Sequence, residues 1–231
     1  MKKLESTLPN MVLVLTGIAI VAAALLGIMN NVTKEPIAQI ERANLEEGIL
    51  KVVPGASSIS NLETPESLTY SIDGKDKELL VYSAVDANGK ELGKAVKVAV
   101  QGFSPDLTVL AGFDAEGNIL GYEILKHGET PGLGAQAPEW FKDQTNHPKS
   151  YIIGMNPGKN NMTVSKDGGE VDAITASTIT SRGFLKAINA EYNALFKGNA
   201  STGATNTVVA DTVNVLPADS TVVADSVVVN E

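Results

Sequence analysis

Cysteine is absent from all 231 residues, so disulfides, thiolate zinc sites, iron–sulfur clusters and cysteine nucleophiles are excluded within this chain. Histidine is scarce, with His127 and His147 the only two, and no metal centre is expected from so few. Aromatic residues make up 5%, too little for a platform on which nucleic-acid bases stack. Positive charge is also short: 18 Lys and Arg face 27 Asp and Glu, for a net charge of -9. No basic cluster offsets that balance, which argues against a nucleic-acid partner.

Charge is missing altogether from residues 11–29, MVLVLTGIAIVAAALLGIM, where Thr16 is the only conventional polar side chain. A helix of this length rises ~28 Å at 1.5 Å per residue, close to the hydrocarbon thickness of a bilayer. The run exceeds the apolar core of a cleaved signal peptide, so an uncleaved single-span anchor is expected. Lys2 and Lys3 precede it, whereas Lys34 beyond it is paired with Glu35. That bias puts residues 1–10 in the cytoplasm and the bulk of the chain outside a cytoplasmic membrane.

Residues 30–69 read as a juxtamembrane helix and a connecting segment. Ile37, Ile40, Leu45 and Ile49 recur at helical spacing, Pro36 suits a first turn, and Pro54-Gly55 ends the run. Residues 70–198 read as one α+β domain. Asn88-Gly89 separates two β-rich runs, and Asp114 to Asn118 separates two more, which predicts successive hairpins of an antiparallel sheet. Phe184, Leu185, Ile188, Tyr192 and Leu195 fall on one face of a closing C-terminal helix. Residues 199–231 hold no Lys or Arg and contain the near-repeats VVADTVNV and VVADSVVV, an acidic low-complexity tail.

Two segments fit poorly as scaffold. Residues 127–134, HGETPGLG, follow a predicted strand and display His127, Glu129 and Thr130 on a turn shaped by Pro131, Gly132 and Gly134. Such a loop is either an ordinary strand-ending turn or a backbone surface laid against a flat ligand. Five hydroxyls lie within residues 175–181, at Thr175, Ser177, Thr178, Thr180 and Ser181, just after Asp172. They open the last helix, where hydroxyls serve either as caps or as a phosphate site beside free amides. Trp140-Phe141 reads as core, His147 as surface, and Lys126 and Arg182 as solvated charges.

Asp172-x-x-Thr175-x-x-Thr178, with Ile179-Thr180-Ser181 after it and HGETPGLG upstream, resembles the FMN-binding domain family. The wording is most similar to the G subunits of Rnf ion-translocating complexes, with the C subunits of sodium-pumping NADH:quinone reductases as near relatives. The resemblance covers residues 5–198. It implies FMN held through a phosphoester on Thr178 and placed there from FAD by a separate Mg-dependent flavin transferase. It also implies a ring lying against His127, Glu129, Thr130, Gly132 and Leu133, and a phosphate met by the helix start with Ser177, Thr180 or Ser181. Asp172 and Thr175 would be read by the transferase or hold the loop. The implied activity is an electron relay among other membrane subunits that couple ferredoxin and NAD chemistry to sodium or proton movement, with no catalytic set of its own. One departure stands out: Ala176-Ser177 occupies the place where the family usually has Gly-Ala. Thr202-Gly203-Ala204-Thr205 imitates the motif but lacks the upstream aspartate and a following helix. Two other readings are a quinone-reductase or stand-alone extracytoplasmic flavin carrier, and a non-redox anchored assembly module recruiting a partner through the tail.

Overall fold

The computed structural model describes residues 8–105 and 107–197; the expectations for the tail, including Thr205, lie outside them. Helix α1 spans Leu8–Val52 without interruption. It contains the one membrane-spanning stretch among the described residues, with a mean hydropathy of 2.7. Pro36 therefore lies inside a helix and not at the start of a second one. It removes a single intrahelical amide, and well-formed turns on both sides carry the helix through. Gly55, at φ 89°, lets the chain turn away after Val52.

Six antiparallel strands follow: β1 (Ser58–Ile59), β2 (Glu66–Ile72), β3 (Lys75–Val85), β4 (Glu91–Val100), β5 (Leu107–Phe113) and β6 (Ile119–Lys126). Strands β3 to β6 are neighbours in chain order, and β1 and β2 both pair with the outer edge of β3. The two expected hairpins are present. Asp86 accepts the amides of Asn88 and Lys90 in one turn, and Asp114 accepts those of Glu116 and Asn118 in the other. The sheet also takes in β1 and the first four residues of β2, from the stretch read as a connecting segment.

Both faces of the curled sheet are covered, and side-chain alternation sorts the residues. Val96, Val98, Val109, Ala111 and Phe113 enter the larger core beneath helix α3 (Thr178–Phe196), which follows the one-turn helix α2 (Ala137–Trp140), and are joined there by Phe184, Leu185 and Ile188. Tyr82, Ala95 and Leu110 face the other way, against Ile49, Val52 and Val53 at the end of α1. Gly112 and Gly121 are cross-strand partners, and they leave room for the helix end. A Cβ at Gly112 would come within 2.3 Å of the Val52 carbonyl oxygen.

These contacts fix the direction of the domain on its helix. Val52 lies beside Gly112 and Gly121, and Gly48 beside Leu110 and Leu125. Glu41, Asn44 and Leu45 line one surface pocket with Thr108, Leu125 and Lys126. Strand β6 thus runs antiparallel to α1. The ends of β4 and β6 point back toward the apolar stretch of that helix.

Candidate functional site

The chain leaving β4 and the chain leaving β6 meet the start of α3 at this helix-ward end. Together they enclose a cavity of about 290 Å³ lined by Phe103, Glu129, Thr130, Leu133, Gly134 and residues 176–180. Segments 129–134 and 176–180, far apart in sequence, are thereby brought together. Phe103, Leu133 and Ile179 are 64%, 39% and 53% exposed, so the cavity has an apolar rim open to the outside.

Glu129 ties the three pieces together. Its Oε1 accepts the backbone amides of Phe103 at 2.9 Å and Ser104 at 3.3 Å, and its Oε2 accepts the Thr180 hydroxyl at 2.7 Å. Helix α3 approaches the β4 exit through Gly183, where a Cβ would stand 2.6 Å from the Gln101 carbonyl oxygen.

The hydroxyl-rich segment divides its labour. Ser181 Oγ accepts the Ile174 amide and donates to the Ser177 carbonyl, and Thr180 is committed to Glu129. Both hydroxyls are thus engaged within the protein, and Thr180 still lines the cavity. Ser177 is the N-cap of α3 yet makes no side-chain capping bond, and among the described residues no other side chain accepts the first-turn amides. Thr178 is the first helical residue, half-buried, and its hydroxyl has no partner among the described residues.

Asp172 and Thr175 lie elsewhere. They line a second cavity, about 580 Å³, with Trp140, His147, Lys149 and Lys166. The loop between the two cavities is pinned by Ser150, whose Oγ donates to the Asp172 carbonyl and accepts from Trp140 Nε1. Phe141 is core, stacked on Phe184. His147 is not simply a surface residue, because its ring stacks on Trp140 at 3.5 Å. Arg182 is exposed and held by both oxygens of Asp167, which lowers that carboxyl below its ordinary value chiefly through the hydrogen bond. His127 and Gly132 do not line the 290 Å³ cavity. Among the described residues no three His, Asp or Glu side chains gather as a metal site.

Sequence reasoning did not single out Phe103, and it named Ile179 only as part of the motif and not as cavity lining. The available signal was apolarity out of place: Phe103 follows Gly102 in a strand-ending loop, and Ile179 lies off the apolar face of α3.

Ala176 has φ 58°, a left-handed conformation that costs an L-residue with a Cβ roughly 1–2 kcal/mol. This gives a physical reason for the usual glycine of the resembled motif. Ala176→Gly is expected to raise the thermal midpoint slightly, by up to ~1 kcal/mol in stability after the unfolded-state entropy of glycine is subtracted. A midpoint that falls, as for an ordinary helical Ala→Gly change, would contradict the left-handed assignment.

The FMN-binding domain family matches residues 102–193. The chain is 31% identical over 186 residues to the G subunit of the ion-translocating oxidoreductase complex of Shewanella amazonensis, covering 77% of this chain and 83% of that protein. It is 32% identical over 181 residues to the Vibrio vulnificus protein of the same description, covering 74% and 82%. It is 32% identical over 182 residues to the G subunit of the Na(+)-translocating ferredoxin:NAD(+) oxidoreductase complex of Acetobacterium woodii, covering 77% and 86%.

Proposed function

The chain belongs to the G-subunit family of ion-translocating oxidoreductase complexes, and from that premise we propose that it carries FMN covalently on Thr178 and relays electrons between other membrane subunits of such a complex. The flavin supplies the redox chemistry, and the chain binds, orients and insulates it.

The residues of the cavity fit that group. Phe103, Leu133 and Ile179 offer apolar contact for a flat ring. The uncapped first turn of α3 offers amides and the positive end of a helix dipole to a phosphate. Among the described residues no Lys, Arg or His lines the cavity, so the helix end bears that task. Thr178 would then need only a bond to phosphorus: in loading, its oxygen would bond to the FMN phosphorus of FAD, with the pyrophosphate P–O bond broken and AMP as the leaving group. The hydroxyl proton passes to a base of the Mg-dependent flavin transferase, since a threonine hydroxyl is not a nucleophile unaided. Asp172 and Thr175, turned to the other cavity, are left for the transferase to read.

The relay works from the extracytoplasmic side, with the N-terminus in the cytoplasm, as the Lys2 and Lys3 bias supports. The cavity lies at the end of the domain that faces back along α1. Its apolar rim is therefore presented toward partners in the membrane.

The observation carrying the proposal is the unpartnered Thr178 hydroxyl at a cavity built from both motifs. It is tested by in-gel flavin fluorescence after denaturation, with intact mass, for wild type and Thr178→Val coexpressed with a flavin transferase. Fluorescence and an FMN-sized mass increase are expected in wild type and absent in the variant. A variant that stays fluorescent moves the attachment point, with Thr205 next to be replaced. A wild type that never loads beside an active transferase sinks the proposal.

A further inference from the structure

We infer that Glu129 holds down the redox potential of the flavin by placing a fixed, unneutralised carboxylate in the cavity wall. This rests on the FMN reading above and assigns Glu129 a task within it. Glu129 is 7% exposed, and its position is set from all sides. A Cβ at Gly102 would come within 2.2 Å of Oε1, and one at Gly134 within 2.6 Å of Oε2. These two glycines leave the room in which the carboxylate sits.

All three groups bonded to Glu129 are uncharged: two backbone amides and the Thr180 hydroxyl. No ion pair reaches Glu129 among the described residues, and no cationic side chain lines the cavity. The mechanical task of tying residues 103–104 to α3 does not require a charge. A glutamine could accept both amides through its oxygen and donate to the Thr180 hydroxyl through its nitrogen. The negative charge is therefore surplus to the fold, and its remaining effect is on whatever occupies the cavity. In a water-poor wall such a charge acts strongly on neighbouring charge. Full reduction of FMN takes two electrons from the redox partner subunits, with one proton for the anionic form or two for the neutral form. A carboxylate beside the ring disfavours the added electrons, and it disfavours the singly protonated anion most.

The test uses the full chain, loaded by the transferase and held in detergent, with redox titrations followed by flavin absorbance from pH 6 to pH 9. Glu129→Gln is expected to raise the midpoint potential. It is also expected to move the break in the potential–pH plot, where the reduced ring gives up its second proton, to lower pH. Thr180→Val keeps the charge but removes one donor that partly offsets it, so at the alkaline end its potential is expected to fall. Opposite signs for the two variants mark a charge effect. Shifts of the same sign would mean that both changes merely loosen the cavity, and would overturn the inference, as would an unchanged potential and break in Glu129→Gln. Should Glu129→Gln fail to fold or load, Thr180→Val decides alone: a fall supports the inference, and a rise or no change overturns it. Failure of wild type to load would strike the FMN reading itself, a result distinct from any of these.

Discussion

Replacing Glu191 with leucine is expected to stabilise the domain by about 2 kcal/mol at neutral pH, from the cost of an unsatisfied buried polar group. Glu191 lies on α3 between Ile188 and Ala194, with no exposure, and neither carboxylate oxygen has a hydrogen-bond partner. Burial pushes its carboxyl well above the ordinary value of 4.5. The folded state holds a proton that the unfolded state gives up. The stability associated with that proton is complete below pH 4.5 and is lost as pH rises toward the folded-state value. Wild type should therefore weaken with rising pH across that window, and the leucine variant should not share this decline. Urea unfolding at several pH values measures the gap between them. A gap that does not widen with pH would show that Glu191 is charged and paired in the folded state, contrary to this account.

Gly183→Ala is expected to act in the opposite direction and to reach the site as well. The added methyl meets the Gln101 carbonyl oxygen at 2.6 Å and the Gly102 Cα at 3.2 Å. Both are backbone, which cannot rotate away, so α3 must lift from the β4 exit. Overpacking of this kind costs about 2–3 kcal/mol. The lift separates Thr180 from Glu129 and widens the cavity, so transferase loading should fall along with the unfolding midpoint. Gly128→Ala is the matched control, because its Cβ would make only an ordinary 3.4 Å contact with Ser104. It should stay within ~0.5 kcal/mol of wild type. Equal behaviour of the two variants would mean that the close approach at Gly183 is not essential.

What was legible in the sequence was largely what is local. The apolar span, the two hairpin turns and the amphipathic last helix each rest on periodicity or turn chemistry within a short window. Strand β1 does not, because its two residues are strands only by pairing with Ala84 and Val85. Strand β2 could have been found: Asp73 and Gly74, at φ 52° and 73°, form the kind of Asp-Gly hairpin turn that sequence can announce. The cavity was half legible. Its two motifs were visible as segments, but their meeting depends on which strand ends lie side by side. Phe103 joins through the β4 exit, a long-range fact absent from any motif. The five hydroxyls of residues 175–181 look alike in sequence. Only the packing of α3 commits Ser181 and Thr180 inward, turns Thr175 to the far side of the loop and leaves Ser177 and Thr178 unbonded at the cavity.

The unbroken course of α1 makes the linker a phase-setting element as well as a tether. From Met29 at the end of the apolar stretch to Leu45, where the helix reaches the sheet, the helix rises ~24 Å. Each residue in that interval fixes height and compass bearing together, about 1.5 Å and about 100° per residue. One residue more would leave the domain at nearly the same elevation but turn its cavity toward a different neighbour. Seven more would restore the bearing to within ~20° while lifting the site by ~10 Å. The length of an apparently featureless stretch of helix thus sets the bearing of the cavity about the helix axis.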